Sequence, residues 1–555
     1  MMWTTRSGPR AAVLLLLLAA TATAAEKTSK IRLNTVGYLP GHPKQATIAA
    51  ACRTFQVIHA IDHSKAFEGQ ITGPIDDIDT GERVHIADFS ALQQPGTYRL
   101  RVEGVGDSAP FRIAADVYRA PFVLVTRGMF LWRCGTAVRG EHSGDVFEHA
   151  ACHLEDGWLD VVEGRHERRD GVGGWHDAGD YNKYTVNAGI TVGSMLRAWE
   201  DFGPSLRTIR LDIPESSNAT PDLLDELRWE VEWLLKMQAA DGSAYHKLTT
   251  RQFGAFVPPE DEKTPRFFTS WGTAATADLA AILAQASRNL RPNDPAFADR
   301  CLASARRAWA FLEAHPNDHR PDLKGFRTGG YQTADPDDRL WAAAELWETT
   351  GDAAILRDLE HRIATADARV DVDFDWSEVR NLGLLTYLFS KRPERDPKLL
   401  TNLKRNLVTT ADSIVAAAGE GGYRRPLGRR YYWGCNGSVA RQTMILRAAY
   451  RVEPRPDYLE TALDALNHLL GRNVYGRSFV TGLGDRPPMH PHDRRSGGDR
   501  VPAPWPGYLV GGPHPTASSW RDDQGDYRTN EIAINWNAAL IYAMAAALDA
   551  DPGPP

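Results

Sequence analysis

Cysteine is scarce in this 555-residue chain. There are five, an odd number and too few for a disulfide-stapled scaffold, so at least one thiol is unpaired or bound to something else. A basic excess is also missing: 64 Lys and Arg stand against 71 Asp and Glu, for a net charge of −7. Without a basic face the chain has little to offer nucleic-acid phosphates. No segment after the N-terminus is long and apolar enough to span a bilayer. The marks of disorder are absent too, because 43% of residues are apolar and 16 are tryptophan. At about 150 residues per domain, this length suits two to four domains or one large domain with an appendage.

The first 24 residues read as an export signal, not as fold. Arg6 and Arg10 form a positive n-region, Ala11 to Ala20 an apolar run, and Ala22-Thr23-Ala24 a small-x-small cleavage site. The run is short of the ~20 apolar residues a membrane anchor needs. Losing Arg6 and Arg10 with this segment leaves a mature charge of −9. The expected product is soluble and either secreted or periplasmic.

Tryptophan is absent from Lys30 to Ala114, and the text there is short β-like runs at 45–48, 55–58, 83–86 and 97–102. Turn signals such as Leu39-Pro40-Gly41 and Gln94-Pro95-Gly96 separate them, which predicts a small antiparallel sandwich of roughly seven strands over 30–114. From 115 to 555 the texture is helical. Thr220-Pro221-Asp222 opens one helix with a cap, a proline and an acidic first turn. Twelve helical segments are expected, near 116–135, 182–201, 221–239, 269–287, 299–315, 337–350, 353–367, 377–391, 397–418, 436–452, 456–470 and 530–549. Twelve helices on one core suit six hairpins closed into a ring; an open solenoid is the alternative, though no repeat of constant period is evident. The fifteen tryptophans after Trp3 all fall in this helical part. Core packing accounts for some, such as Trp309 and Trp341. Exposed indoles would also suit a glycan groove.

Chemistry concentrates in irregular segments. Gly173-Gly174-Trp175-His176-Asp177-Ala178-Gly179-Asp180 places two carboxylates three residues apart on a tight turn before a helix. The turn could bind calcium or cap the helix, or one carboxylate could polarise water. Asn530-Glu531-Ile532-Ala533 opens the last helix; Glu531 reads as a first-turn acid, or as a general acid with a raised pKa. The Pro- and Gly-rich stretch from Ser478 to Arg495 ends in His490-Pro491-His492-Asp493-Arg494-Arg495 and supplies donors for sugar hydroxyls. Cys134, Cys152, His153 and His176 offer two thiolates and two imidazoles, a set that zinc takes, although the spacing is not that of a zinc finger.

Together these segments resemble glycoside hydrolase family 9, which includes many cellulases. Ser478-Phe479-Val480-Thr481, Gly484, Arg486 and Pro491-His492-Asp493-Arg494 fit its histidine signature. Trp520, Asp522, Tyr527, Glu531, Ala533 and Asn537-Ala538 fit its acidic signature, and Gly174 to Asp180 its N-terminal catalytic motif. The resemblance implies an all-α (α/α)6 barrel, a six-hairpin toroid, preceded by a small all-β immunoglobulin-like sandwich. It also implies an inverting hydrolase of β-1,4-linked glucans. Asp180 would be the base, Asp177 would help hold the water, Glu531 would be the acid, His492 would hydrogen-bond the sugar near the cleaved bond, and Asp522 would orient that catalytic cluster. Arg494, Trp433, Tyr527 and Trp536 would bind sugar. Cys134, Cys152, His153 and His176 match the family's structural zinc ligands, and Thr333, Asp337, Asp338 and Glu378 are candidate calcium ligands. Two departures stand out: Asp493 where a second His is common, and Cys435 where Ser is more usual.

The expected activity is that of an endoglucanase on cellulose-type glucans or cello-oligosaccharides, working as a monomer without an organic cofactor. An exo-acting cellodextrinase, cellobiohydrolase or glucosaminidase on soluble oligomers is the alternative. A non-catalytic glycan-binding protein is disfavoured because Asp177, Asp180 and Glu531 are all present.

Overall fold

The computed structural model describes residues 29–550; the expected export signal, 1–24, lies outside them. The short runs become strands: β1 (Ile31–Arg32), β2 (Gly37–Tyr38), β3 (Gln45–Ile48), β4 (Thr54–His59), β5 (Lys65–Asp77), β6 (Glu82–Asp88), β7 (Gly96–Val102), β8 (Gly106–Asp107) and β9 (Phe111–Ile113). They pair in the order β1-β3-β6-β5-β4-β7-β9-β2, with β8 on β7. Every pair is antiparallel except β2 with β9. The strands number more than seven because β1, β2 and β8 are two-residue bridges, too short to leave a period-2 signal. β5 serves both layers, pairing with β4 and β6, and its register shifts between Thr72 and Ile75. Pro74 cannot donate to a ladder, so the irregularity falls where the sequence is least able to continue one. Alternate residues of β4 and β7, including Phe55, Val57, Tyr98, Leu100 and Val102, face one apolar core.

The second part contains, among the described residues, twelve α-helices of ten residues or more. They are α1 (Arg119–Leu131), α2 (Thr185–Leu206), α3 (Asp222–Lys236), α4 (Thr273–Leu290), α5 (Pro295–Ala314), α6 (Pro336–Thr350), α7 (Ala353–Thr365), α8 (Arg380–Phe389), α9 (Pro397–Gly419), α10 (Cys435–Val452), α11 (Pro456–Leu469) and α12 (Ile534–Leu548). Each overlaps one expected segment. Two kinds of burial separate them. In α4 every residue from Thr273 to Ser287 is buried, and in α12 every residue from Ile534 to Ala547. Such helices are enclosed on all sides, and their many alanines allow close approach. α9 instead buries one stripe, Leu403, Leu407, Ala411, Ile414 and Ala418, as a helix with one wet face does. The even-numbered helices pack side by side, α12 on α2, α2 on α4, α4 on α6, α6 on α8, and α10 on α12. Each odd-numbered helix packs against an even-numbered one.

The sandwich docks on the end of α11 and the loop that follows. Thr35 N donates to the Leu470 carbonyl at 3.0 Å, and Asp485 N donates to Thr35 Oγ1 at 2.9 Å. Thr47 Oγ1 donates to the Gly422 carbonyl at 2.6 Å. This contact braces the start of the 478–495 segment.

Candidate active site

The acidic turn owes its shape to glycine. Gly173 and Gly174 adopt φ of 101° and 72°, which an L side chain rarely takes. The turn is then stitched to segments more than 300 residues away. Ala178 bridges Ala533, and Ile534 N donates to the Asp177 carbonyl at 2.9 Å. His492 bridges Glu531 in parallel, and Arg494 N donates to the Gly179 carbonyl at 3.0 Å. Backbone pairing thus assembles three motifs into one small mixed ribbon, and Asp177, Asp180, His492 and Glu531 arrive together.

Each acid has its own set of partners. Asp177 is buried and accepts from Asn187 Nδ2 at 2.7 Å and from Tyr331 Oη at 2.8 Å. Burial and the neighbouring Asp180 carboxylate nonetheless raise its pKa well above the usual range. Asp180 accepts from Asn182 Nδ2 at 2.6 Å and Tyr184 Oη at 3.2 Å. Glu531 is pushed well up by burial of its carboxyl and by the charges of Asp180 and Asp177. One carboxyl that keeps its proton beside another held by donors is what paired acid and base chemistry requires.

The other expected residues divide. His492 Nδ1 lies 2.7 Å from the Gln524 carbonyl, which makes Nδ1 the protonated nitrogen and leaves Nε2 as acceptor. Burial lowers its pKa, so the ring is neutral. Asp522 accepts from Met489 N, His490 N and Arg477 Nη2 at 2.8, 2.8 and 2.9 Å and so pins the chain leading into His492. Arg494 is buried, with Nη1 and Nε donating to the Gly179 and Gly254 carbonyls at 2.8 and 3.0 Å. These bonds tie loops together and leave less of the guanidinium for sugar than expected. Trp433 and Tyr527 are 49% and 42% exposed and meet edge to face at 5.5 Å. Trp536 corrects its expectation: at 7% exposure it fills the space beneath Gly434 and Gly437 and is core, not cleft.

Asn187 and Tyr331, the two donors to Asp177, escaped the sequence reading. Asn187 sits on the first turn of α2, a position that ordinary helix polarity explains, and Tyr331 comes from a loop with no local motif. Removing one hydrogen-bond partner of a buried polar group changes energies by ~1–3 kcal/mol. Tyr331→Phe is therefore expected to lower kcat about tenfold with KM little changed. Unaltered kcat would remove Tyr331 from the positioning of Asp177.

Next to the acidic turn lies a metal-ligating cluster. Cys134, Cys152, His153 and His176 bring one ligand atom each within 4.8 Å of the others. Cys134 Sγ is 3.7 Å from His153 Nδ1, and Cys152 Sγ is 3.7 Å from His176 Nε2. Bonds of about 2.0–2.3 Å to a tetrahedral centre give edges of about 3.4–3.8 Å, so this donor set fits zinc. His153 takes φ 51°, the left-handed turn that lets two successive residues both face inward. Lys183 and Arg266 donate to Cys134 Sγ at 3.7 and 3.4 Å and favour its thiolate.

Residues 122–544 match the family described as glycosyl hydrolase family 9, and residues 26–107 match the cellulase N-terminal ig-like domain. The chain belongs to glycoside hydrolase family 9. It is 52% identical over 520 residues to endoglucanase D of Acetivibrio thermocellus, covering 93% of this chain and 83% of that one. Among solved structures it resembles a metagenome-derived family 9 endoglucanase, with TM-score 0.88 and 35% identity, covering 93% of this chain and 98% of that one. It also resembles a zinc-binding triple mutant of another family 9 endoglucanase, with TM-score 0.87 and 32% identity, covering 92% and 99%.

In this family 9 chain the four candidate calcium ligands engage other protein groups. Among the described residues the only His, Cys, Asp and Glu group close enough to share an ion is the Cys134 cluster. Thr333 Oγ1 donates to the Ser377 carbonyl at 3.2 Å, Asp337 accepts from Val379 N at 2.7 Å, and Glu378 pairs with Arg380 at 3.2 Å. Asp338 is fully buried against Asp278.

Proposed function

We propose that this protein is an inverting endo-β-1,4-glucanase acting on cellulose-type glucans. The observation that carries the reading is the pairing of Glu531 with His492 and of Ala533 with Ala178 in the acidic turn, with the Glu531 carboxyl pushed up beside two acids. Asp180 takes a proton from water as the oxygen attacks the anomeric carbon from one face. Glu531 gives its proton to the departing glycosidic oxygen on the other, and the C–O bond breaks. Asp177, steadied by Asn187 and Tyr331, orients that water. His492 and Arg494 border the site, and the exposed Trp433 and Tyr527 offer apolar faces for glucosyl rings. Similarity to endoglucanases supports an endo pattern. A helical ring in the (α/α)6 sense underlies the site: even helices within, odd helices without, and α12 meeting both α2 and α10.

Hydrolysis of cellohexaose followed by NMR is expected to give α-anomers first, with internal bonds cut and soluble polymer shortened at random. First-formed β-anomers would sink inversion, and cellobiose or glucose as sole early product would sink the endo pattern.

We also propose that Cys134, Cys152, His153 and His176 hold one structural zinc, whose charge would brace the acidic turn through His176, the neighbour of Asp177. Metal analysis is expected to give about one zinc per chain, and chelation to lower Tm. Protein purified without chelators that contains no zinc, or a Tm indifferent to its removal, would refute this.

A further inference from the structure

The sandwich and the helical part enclose a second cavity, lined by Asp77 and Asp79 between β5 and β6, by the 420–431 segment and by the end of α11. It has about 80 Å³ of room for water-sized occupants, space for several waters or one small ion. Two of its walls carry polar groups without partners. Arg425 is 6% exposed; its Nη1 donates to the Gly428 and Arg430 carbonyls at 2.6 and 2.9 Å, while Nε and Nη2 have none. His468 is 5% exposed, and neither ring nitrogen has a partner.

Among the described residues no carboxylate bonds to Arg425, whose guanidinium lies over the Tyr431 ring and beside the Cys435 thiol. Its neighbours are matched: Arg424 with Asp464 at 2.6 Å and Arg429 with Asp79 at 2.8 Å. Asp79 also accepts from Tyr431 Oη at 3.2 Å, and Asp77 accepts from Gly422 N at 3.0 Å and Thr80 Oγ1 at 2.8 Å. The Cys435 thiol is pushed up by burial and donates to the Pro513 carbonyl at 3.3 Å, so it is neutral. Burial holds His468 well below its ordinary pKa, which leaves a neutral ring with one N–H to donate. A guanidinium is rarely buried without a counter-charge. Here the free atoms are Nε and Nη2, the side of the group that grips two oxygens at once.

We propose that this cavity is an oxyanion site, taking a small carboxylate or phosphate on the Nε–Nη2 fork of Arg425 with the His468 N–H as a further donor. The site joins the sandwich to the segment that ends in the aromatic platform. Arg425 lies over the Tyr431 ring at 4.3 Å, and Trp433 follows two residues later. Neither the binding nor its test depends on the proposed catalysis.

The test uses the whole protein, titrated with sodium acetate and separately with sodium phosphate at fixed ionic strength against sodium chloride, with Tm as readout. A saturable rise in Tm with one of them is expected, and the responding anion identifies carboxylate or phosphate as the ligand. Arg425→Met should lose the rise; if that variant does not fold, Arg425→Lys keeps the charge but not the fork and should lose it as well. Crystals of the unmodified protein grown with each anion should show it on the fork. Only water there with both anions, or an equal Tm rise in the variants, overturns the proposal.

Discussion

Replacing Glu531 by Gln lowers kcat on cellohexaose by about 10³-fold, within the 10²–10⁴ that a positioned proton donor contributes and equal to ~4 kcal/mol of barrier. The amide keeps the size and backbone setting of the glutamate, so the loss reports the proton and not the shape. Stability moves the other way. Glu531 is raised, so its ionisation weighs against the folded state progressively as pH climbs from the unfolded value towards the folded one. A glutamine cannot ionise, and Tm at neutral pH should hold or rise. The pH profile gives the second readout. An acid that must keep its proton sets the alkaline limb, which should lie above the ordinary glutamate range of ~4.3. That limb should vanish in Glu531→Gln. A variant that retains more than a tenth of the kcat, or an unchanged alkaline limb, would show that another group protonates the leaving oxygen.

Most of the site was legible because its parts are short, local and chemically unusual. Adjacent glycines before two aspartates require a turn, and Gly173 and Gly174 take the left-handed angles. Helices were legible from apolar stripes and caps, and all twelve long ones fall on expected segments. Exposure was not legible. Trp433 and Trp536 look alike in sequence, yet one stands in solvent and the other fills the space under two glycines. The partners of a motif were harder still. Tyr331 reaches Asp177 across 154 positions, a closeness that only the packing of the loops creates. Arg494 is expected from its motif to bind sugar, and the packing adds a second role, a clamp between two backbone carbonyls. The Arg425 cavity left no sequence signal, because one arginine among many is unremarkable until its neighbours are seen to be paired.

Gly179→Ala should be the most damaging change at a residue that carries no chemistry. A Cβ at 179 would meet the His492 carbonyl oxygen well inside the 3.0 Å that real Cβ contacts respect. The obstacle is backbone and cannot swing aside, so the two segments must part by about 1 Å. Two hydrogen bonds from Arg494 to the Gly179 carbonyl hold them together, and both would lengthen. The separation falls between Asp180 on one segment and the His492–Glu531 bridge on the other. Displacing reacting groups by about 1 Å costs about 10²-fold in rate, and overpacking a tight site costs ~1–3 kcal/mol of stability. The expected variant is folded, melts earlier, and turns over cellohexaose about 100-fold more slowly with its zinc content unchanged. Activity within twofold of the parent would mean that the ribbon tolerates a wider spacing, and that the Gly179–His492 contact does not set the distance across which Asp180 and Glu531 work.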